Sequence, residues 1–199
     1  AMTDDIPAFY NDLDSAYAEA WRLLDDGVTN AKAPFHLPAV ATIGQDGDPR
    51  VRTVVLRAAD REAPWLQFHT DRRSPKVAEL QGEPRVALHF YDRAAKVQLR
   101  VRARATVHAE DAVARAAWDR TRSFSRVCYR IDPGPGTPLA APDGYAEPEP
   151  DDPEVGFETF RVVRAHIAEI EWLYLAGQGH RRALFRLGRD GYEASWLTP

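Results

Sequence analysis

The chain has 199 residues, a formal net charge of −4 and 44% apolar residues, which excludes wholesale disorder and predicts a single domain over 1–199. Its one cysteine, Cys128, excludes an intrachain disulfide and a cysteine-based zinc centre, and no apolar run reaches the ~18 residues a membrane span needs, so a cytoplasmic protein without membrane contact is expected. The mild acidity argues against a nucleic-acid partner. Of the 26 basic residues all but Lys32, Lys76 and Lys96 are arginines, a skew that compositional bias explains for most positions but not for every cluster.

Ala1-Met2 has the look of an added residue ahead of a natural start. Ile6, Phe9, Leu13, Tyr17, Ala20 and Leu24 recur at steps of three and four, predicting an amphipathic helix over 6–26 with Thr3 as N-cap, Pro7 in the first turn and Gly27 as the stop. The period then changes to two. Strands are predicted at 37–43, 51–58 and 65–70, with the turn-rich segment 44–49 making the first two a hairpin. A short helix over 74–81 leads to a strand at 85–91. The strand at 96–108 alternates most clearly, with Val97, Leu99, Val101, Ala103, Ala105 and Val107 on one face. Its other face carries Gln98, Arg100, Arg102, Arg104, Thr106 and His108. A helix over 110–120 with Val113, Ala116 and Ala117 on one side comes next. Residues 132–156 hold seven of the 15 prolines and many acids, a long loop too acidic to lie against phosphate. Strand patterns resume at 160–175, 182–186 and 192–196. The order predicts an α+β fold: an antiparallel β-barrel with flanking helices.

Four groups of residues bear on chemistry. Arg52 and Arg57 bracket Thr53, Val54, Val55 and Leu56; five apart, they face opposite sides of a regular strand and are either exposed strand arginines or contacts on two sides of one elongated ligand. Ser74 is a natural N-cap and Pro75 a natural first helical residue, which puts Lys76 in the first turn with Arg72 and Arg73 before it. A helix dipole disfavours cations there unless an anion reverses the sign, so the turn is either a solvated basic bend or a phosphate cradle. Gln98 can both donate and accept, as reading a heterocyclic edge requires, or it is an ordinary outward polar residue. Gly177–Arg182 lies beside Trp172 and Tyr174; it lacks the strand–GxGxxG–helix context of a dinucleotide site, and His180 is a ligand contact or a loop histidine. The histidine spacing offers no metal site, and hydrolase and NTPase motifs are absent.

Taken together, Arg52–Arg57, Phe68–Lys76, Gln98 and His180–Arg182 resemble the motifs of the pyridoxamine 5′-phosphate oxidase-like family, the FMN-binding split barrels. The resemblance runs from residue 36 to 199, and the ending Trp196–Pro199 is similar to the family's terminal strand, which implies a complete C-terminus. Trp118–Arg126 with Pro133–Pro138 resembles the oxidase-related subfamily more than the vitamin B6 enzyme proper. The resemblance implies a homodimer with FMN at the interface. It implies that Arg52 and Lys76 bind the phosphate and ribityl end and that Ser74 forms the phosphate turn. Thr53, Val54, Val55, Leu56, His69 and Thr70 would line the flavin, and Gln98, Trp172 and Arg182 would contact it. Arg57 and His180 would face the substrate. Pro75 stands where the oxidases often have a second basic residue, and Gln178 stands where they have a substrate-binding arginine. The implied activity is an FMN-dependent oxidoreductase of unassigned small-molecule substrate. A non-catalytic flavin, deazaflavin or heme-binding module is the alternative, and an interaction protein acting through the acidic loop is a third.

Overall fold

The computed structural model describes residues 6–149 and 152–199; Ala1-Met2, the Thr3 cap and Asp151 of the acidic loop lie outside them. The first helix, α1, spans Leu13–Thr29 and starts later than its apolar period predicts. Asp12 caps it, its carboxylate accepting from Ser15 N at 2.8 Å, while Ala8–Tyr10 forms a separate 3-10 turn. The helix also runs past Gly27. That glycine is used for close approach: a Cβ there would lie 2.7 Å from the backbone carbon of Phe35.

Strands β1 (Ala39–Ile43) and β2 (Pro49–Thr53) form the expected hairpin. The expected strand 51–58 is broken after Thr53. Val54 N and Leu56 N donate back to Pro38 O and His36 O, but Arg57 N donates to Gln67 O at 2.8 Å. Within four residues the chain exchanges one neighbour for another, and β3 (Ala58–Asp60) then pairs with β4 (Trp65–Asp71). With β5 (Arg85–Asp92), β6 (Val97–His108) and β7 (Phe160–Tyr174), the sheet order is β2-β1-β5-β6-β7-β4-β3. Its two ends are therefore joined by residues 54–57, and the antiparallel sheet closes as a split barrel. β8 (Arg181–Gly188) and β9 (Gly191–Leu197) continue from β7.

β6 alternates as predicted: Val97, Leu99, Val101 and Ala103 are buried and Arg100, Arg102 and Arg104 are exposed. The outer face is not the basic surface that alternation alone implies, because Glu171 pairs with Arg100 and Glu169 with Arg102. Arg102 lies opposite Glu169 but Ala103 lies opposite Ile167, so Ala168 is an extra residue in β7. This bulge shifts the inward set from Val163, Ala165 and Ile167 to Ile170, Trp172 and Tyr174.

Helix α1 covers the barrel with Tyr17, Ala20, Trp21 and Leu24, Tyr17 packing on Phe185 and Tyr192. Helix α2 is Pro75–Gly82, α3 is Ala112–Arg120 and α4 is Ser123–Arg126. The buried side of α3 is Ala114, Ala117 and Trp118, with Ala116 exposed, because Trp118 enters a second small core with Tyr129 and Phe160.

A helical Gly→Ala change ordinarily stabilises by about 1 kcal/mol. At Gly27 the added methyl meets backbone, so Gly27→Ala should instead destabilise by about 1–3 kcal/mol, the usual cost of overpacking. Denaturant unfolding measures the sign.

Candidate functional site

The turn 71–76 joins β4 to α2, and its cations have different roles. Arg73 places Nε and one terminal nitrogen on the two Asp71 oxygens at 3.0 and 2.7 Å and donates to Ile131 O at 2.8 Å. It is a structural clasp. Its stem also packs against Gly134, where a Cβ would meet it at 2.8 Å. The 132–156 loop thus meets this turn at its start, with Gly134 against the Arg73 stem and the Asp132 charge acting on its guanidinium. The Ser74 side chain does not cap α2; its hydroxyl accepts from Lys76 Nζ at 2.9 Å, and Thr70 Oγ1 accepts from the same ammonium at 3.1 Å. The backbone contribution is smaller than an ideal helix start, since Pro75 has no N–H and Ser74 N and Val77 N are spent on Asp71 O and Ser74 O.

Arg52 reaches this turn from β2. It donates to Thr42 Oγ1 at 2.5 Å and to Glu79 Oε2 at 2.8 Å, and Thr42 also donates to Glu79. Glu79, on the first turns of α2, is buried. Burial lowers the Lys76 pKa, and Arg52 lowers it further, with Glu79 and Asp71 opposing. Among the described residues no carboxylate forms an ion pair with Lys76. A half-buried cation with two hydroxyl partners and a second cation beside it is a donor set that suits a phosphate.

Thr53 is exposed, Val55 is partly so, and Val54 and Leu56 are buried along the crossover segment. Arg57 lies beyond it, away from Arg52, at a cleft of about 880 Å³ whose lining includes Arg57, Trp65, Gln67, His69, Arg120 and Arg164. His69 sits on the cleft wall with its ring edge-on to Phe160 at 4.9 Å. Burial, reinforced by Arg57 and Arg120, pushes its pKa down to about 3. It is a neutral imidazole at ordinary pH.

The remaining expected contacts stand elsewhere. Gln98 on β6 is opposite Leu173 on β7, which is opposite Arg182 on β8, so Gln98 and Arg182 share a face about 10 Å apart. Arg182 donates to Glu171 at 2.6 Å. His180, in the turn before β8, is exposed and borders a recess with Arg182 and Trp196. Trp172 has the opposite parity. It is 0% exposed, packs on Phe9 and Tyr174, and its indole nitrogen has no acceptor among the described residues. Thr70 pairs with Arg161 at the start of β7 and Gln98 with Leu173 near its end. That is on the order of 40 Å of extended strand, so one copy of the chain holds the two groups apart.

Sequence reasoning missed Thr42, Gln67, Glu79, Arg120 and Arg164. Glu79 had a signal, since it follows Lys76 by one helical turn, and Gln67 shares the His69 face by the two-residue period. Arg164 had none, because strand register brings it there. No helix in the described residues is long and apolar enough to cross a membrane.

The His69 pKa links pH to stability. It lies below the unfolded value near 6.5, so the unfolded chain binds the extra proton first and stability falls as pH drops from 6.5 towards 3. His69 should contribute about 2 kcal/mol of loss between pH 7 and 5; paired denaturation curves at the two pH values should show the loss reduced by that amount in His69→Gln, with His166, whose pKa burial also lowers, supplying what remains.

Comparison with known proteins agrees with this architecture. Residues 18–109 match the family model for the pyridoxamine 5′-phosphate oxidase FMN-binding domain. A pyridoxine/pyridoxamine 5′-phosphate oxidase of Cupriavidus pinatubonensis is 32% identical over 94 residues, 47% of this chain and 43% of that protein. The chain thus aligns with less than half of the length of that curated relative. A pyridoxamine 5′-phosphate oxidase-related, FMN-binding protein of Nostoc punctiforme superposes with TM-score 0.76 at 23% identity, over 93% of this chain and 96% of that one. PhzG of Burkholderia lata, solved with tetrahydrophenazine-1-carboxylic acid, superposes with TM-score 0.69 at 20% identity, over 98% and 95%. Over its first six strands the chain thus resembles the pyridoxamine 5′-phosphate oxidase FMN-binding domain, and its closed antiparallel barrel has the fold of the Nostoc punctiforme protein.

Proposed function

We propose that the chain is an FMN-dependent oxidoreductase acting on a small anionic substrate, with two copies completing each site. The observation that carries this reading is the half-buried Lys76 ammonium, held by hydroxyls and flanked by Arg52. A phosphate would supply the ion-pair partner that Lys76 lacks among the described residues. Arg52, Thr70, Ser74 and Lys76 would hold the phosphate and ribityl end, and Thr53, Val54, Val55, Leu56 and His69 would line the ring. Gln98 would meet the ring edge, and Arg182 would add a second contact. Trp172, turned inward, would back that strand. When bound, FMN supplies a reversible hydride acceptor.

The chain's own work is binding and orientation. Arg57 and Arg120, with Arg122 and Arg164 on the same cleft, would attract and orient an anionic substrate group. His180 would close the site from the second copy. The separation along β7 supports this arrangement, because a two-fold pairing can bring the Gln98–Arg182 end of one copy to the Lys76 turn of the other. The outward face of β1, β2 and β5 offers a surface for it, with Ala39, Ala41, Ala87 and a 71% exposed Val51.

The purified protein should show a flavin spectrum, or acquire one with added FMN, and that flavin should be reducible by an organic donor. A protein that neither carries nor binds FMN defeats the reading, and flavin that binds but accepts no hydride from any donor leaves a binding module. Charged hydrogen bonds contribute about 1.5–3 kcal/mol, so Lys76→Ala should weaken FMN binding roughly tenfold to a hundredfold. An unchanged dissociation constant would remove Lys76 from the phosphate site. Lys76 is a cleaner test than Arg52, whose loss also strands the buried Glu79 carboxylate. Val51→Glu should convert dimer to monomer and lower FMN affinity together; a monomer with wild-type affinity argues that one copy is sufficient.

A further inference from the structure

The hydrogen bonds in the cleft have a fixed direction. The β4–β7 register sets Gln67 opposite Arg164, and the two-residue strand period sets His69 beside Gln67. The Arg164 guanidinium lies 4.1 Å over the Trp65 ring and donates from Nε to Gln67 Oε1 at 3.1 Å. A guanidinium has five donors and no acceptor, so the carbonyl end of the Gln67 amide must face Arg164. The amide nitrogen is then turned to His69, 3.2 Å from Nε2. An amide N–H₂ only donates, so His69 Nε2 must accept and the ring proton must sit on Nδ1. The charged groups acting on the ring, Arg57 and Arg120, are both cations that oppose a second proton. Cys128 and Tyr129 line the adjoining recess, and burial raises the pKa of each, so both stay neutral.

We infer that Arg164 and Gln67 are positioning residues that lock His69 as an Nδ1–H donor, making it a specificity residue for ligands that present a hydrogen-bond acceptor, such as a carbonyl or an anionic oxygen. The same arrangement removes His69 as a base, since its one lone pair is already engaged by Gln67. The inference rests on the cleft being the ligand site proposed above, while the tautomer itself does not depend on which ligand enters.

Nitrogen NMR of the full chain labelled with ¹⁵N-histidine tests it. The wild type should show His69 neutral from pH 7 to 5 and in the Nδ1–H form, with roughly a tenfold or greater excess over Nε2–H, as one hydrogen bond would give. Arg164→Met keeps the stem over Trp65 but frees the Gln67 amide to rotate, and the two forms should approach parity. Gln67→Glu replaces the donor by an acceptor, so the proton should move to Nε2 and the His69 pKa should rise. An Nε2–H ring in the wild type overturns the inference, and so does an undiminished Nδ1–H excess in Arg164→Met. Because Arg164 is only partly buried, that arm does not depend on placing a carboxylate in the core. FMN titration of the same samples is a separate readout: failure to bind removes the cofactor reading and leaves the tautomer result standing, whereas an Nε2–H ring removes this inference even in a protein that binds FMN.

Discussion

Closure of the barrel through residues 54–57 is the constraint on which the rest depends. The backbone hydrogen bonds of Val54, Leu56 and Arg57 pass from the Pro38–His36 side to Gln67 in consecutive steps. Because the two ends of the sheet are consecutive pieces of one chain, β2 and β3 are held next to each other, and the apolar faces of β1 and β4 to β7 turn inward together. The same crossover separates Arg52 from Arg57. One is delivered to the α2 turn and the other to the cleft, although they are only five residues apart in the chain.

Charge in this molecule is managed locally. Arg100 and Arg102 are met by Glu171 and Glu169, Arg73 by Asp71, and Arg52 by Glu79. The exposed pairs on β6 contribute little to stability, but they neutralise the arginines of that face, while the carboxylates that meet Arg52 and Arg73 are buried. Lys76 among hydroxyls and the cleft cations around a neutral His69 have no such carboxylate partner among the described residues. The net charge of −4 conveys none of this, since the informative quantity is where compensation is missing.

Alternation and turn chemistry made β4 to β6, α2 and β7 to β9 legible, often to within a residue. Features set by contacts distant in sequence were not. The period of Ile6, Phe9 and Leu13 continued smoothly through a helix start that Asp12 determines by capping. The break after Thr53 has no local mark, because a new partner strand causes it. At the site, Lys76 was conspicuous through its rarity and its place in a Ser-Pro turn, whereas the Arg164–Gln67–His69 chain arises from strand register. Trp172 shows the same limit, since its motif is visible and its inward direction is not.

Ala168 gives that limit a definite form. A single unpaired residue acts in β7 as a frame shift does in a message: everything after it is read on the opposite face. An alignment that slides the C-terminal half by one position would exchange Trp172 for Leu173 and place Glu171 inside the barrel. Likeness to relatives can be followed by simple periodicity up to this strand, and beyond it only the bulge says which side chains look outward.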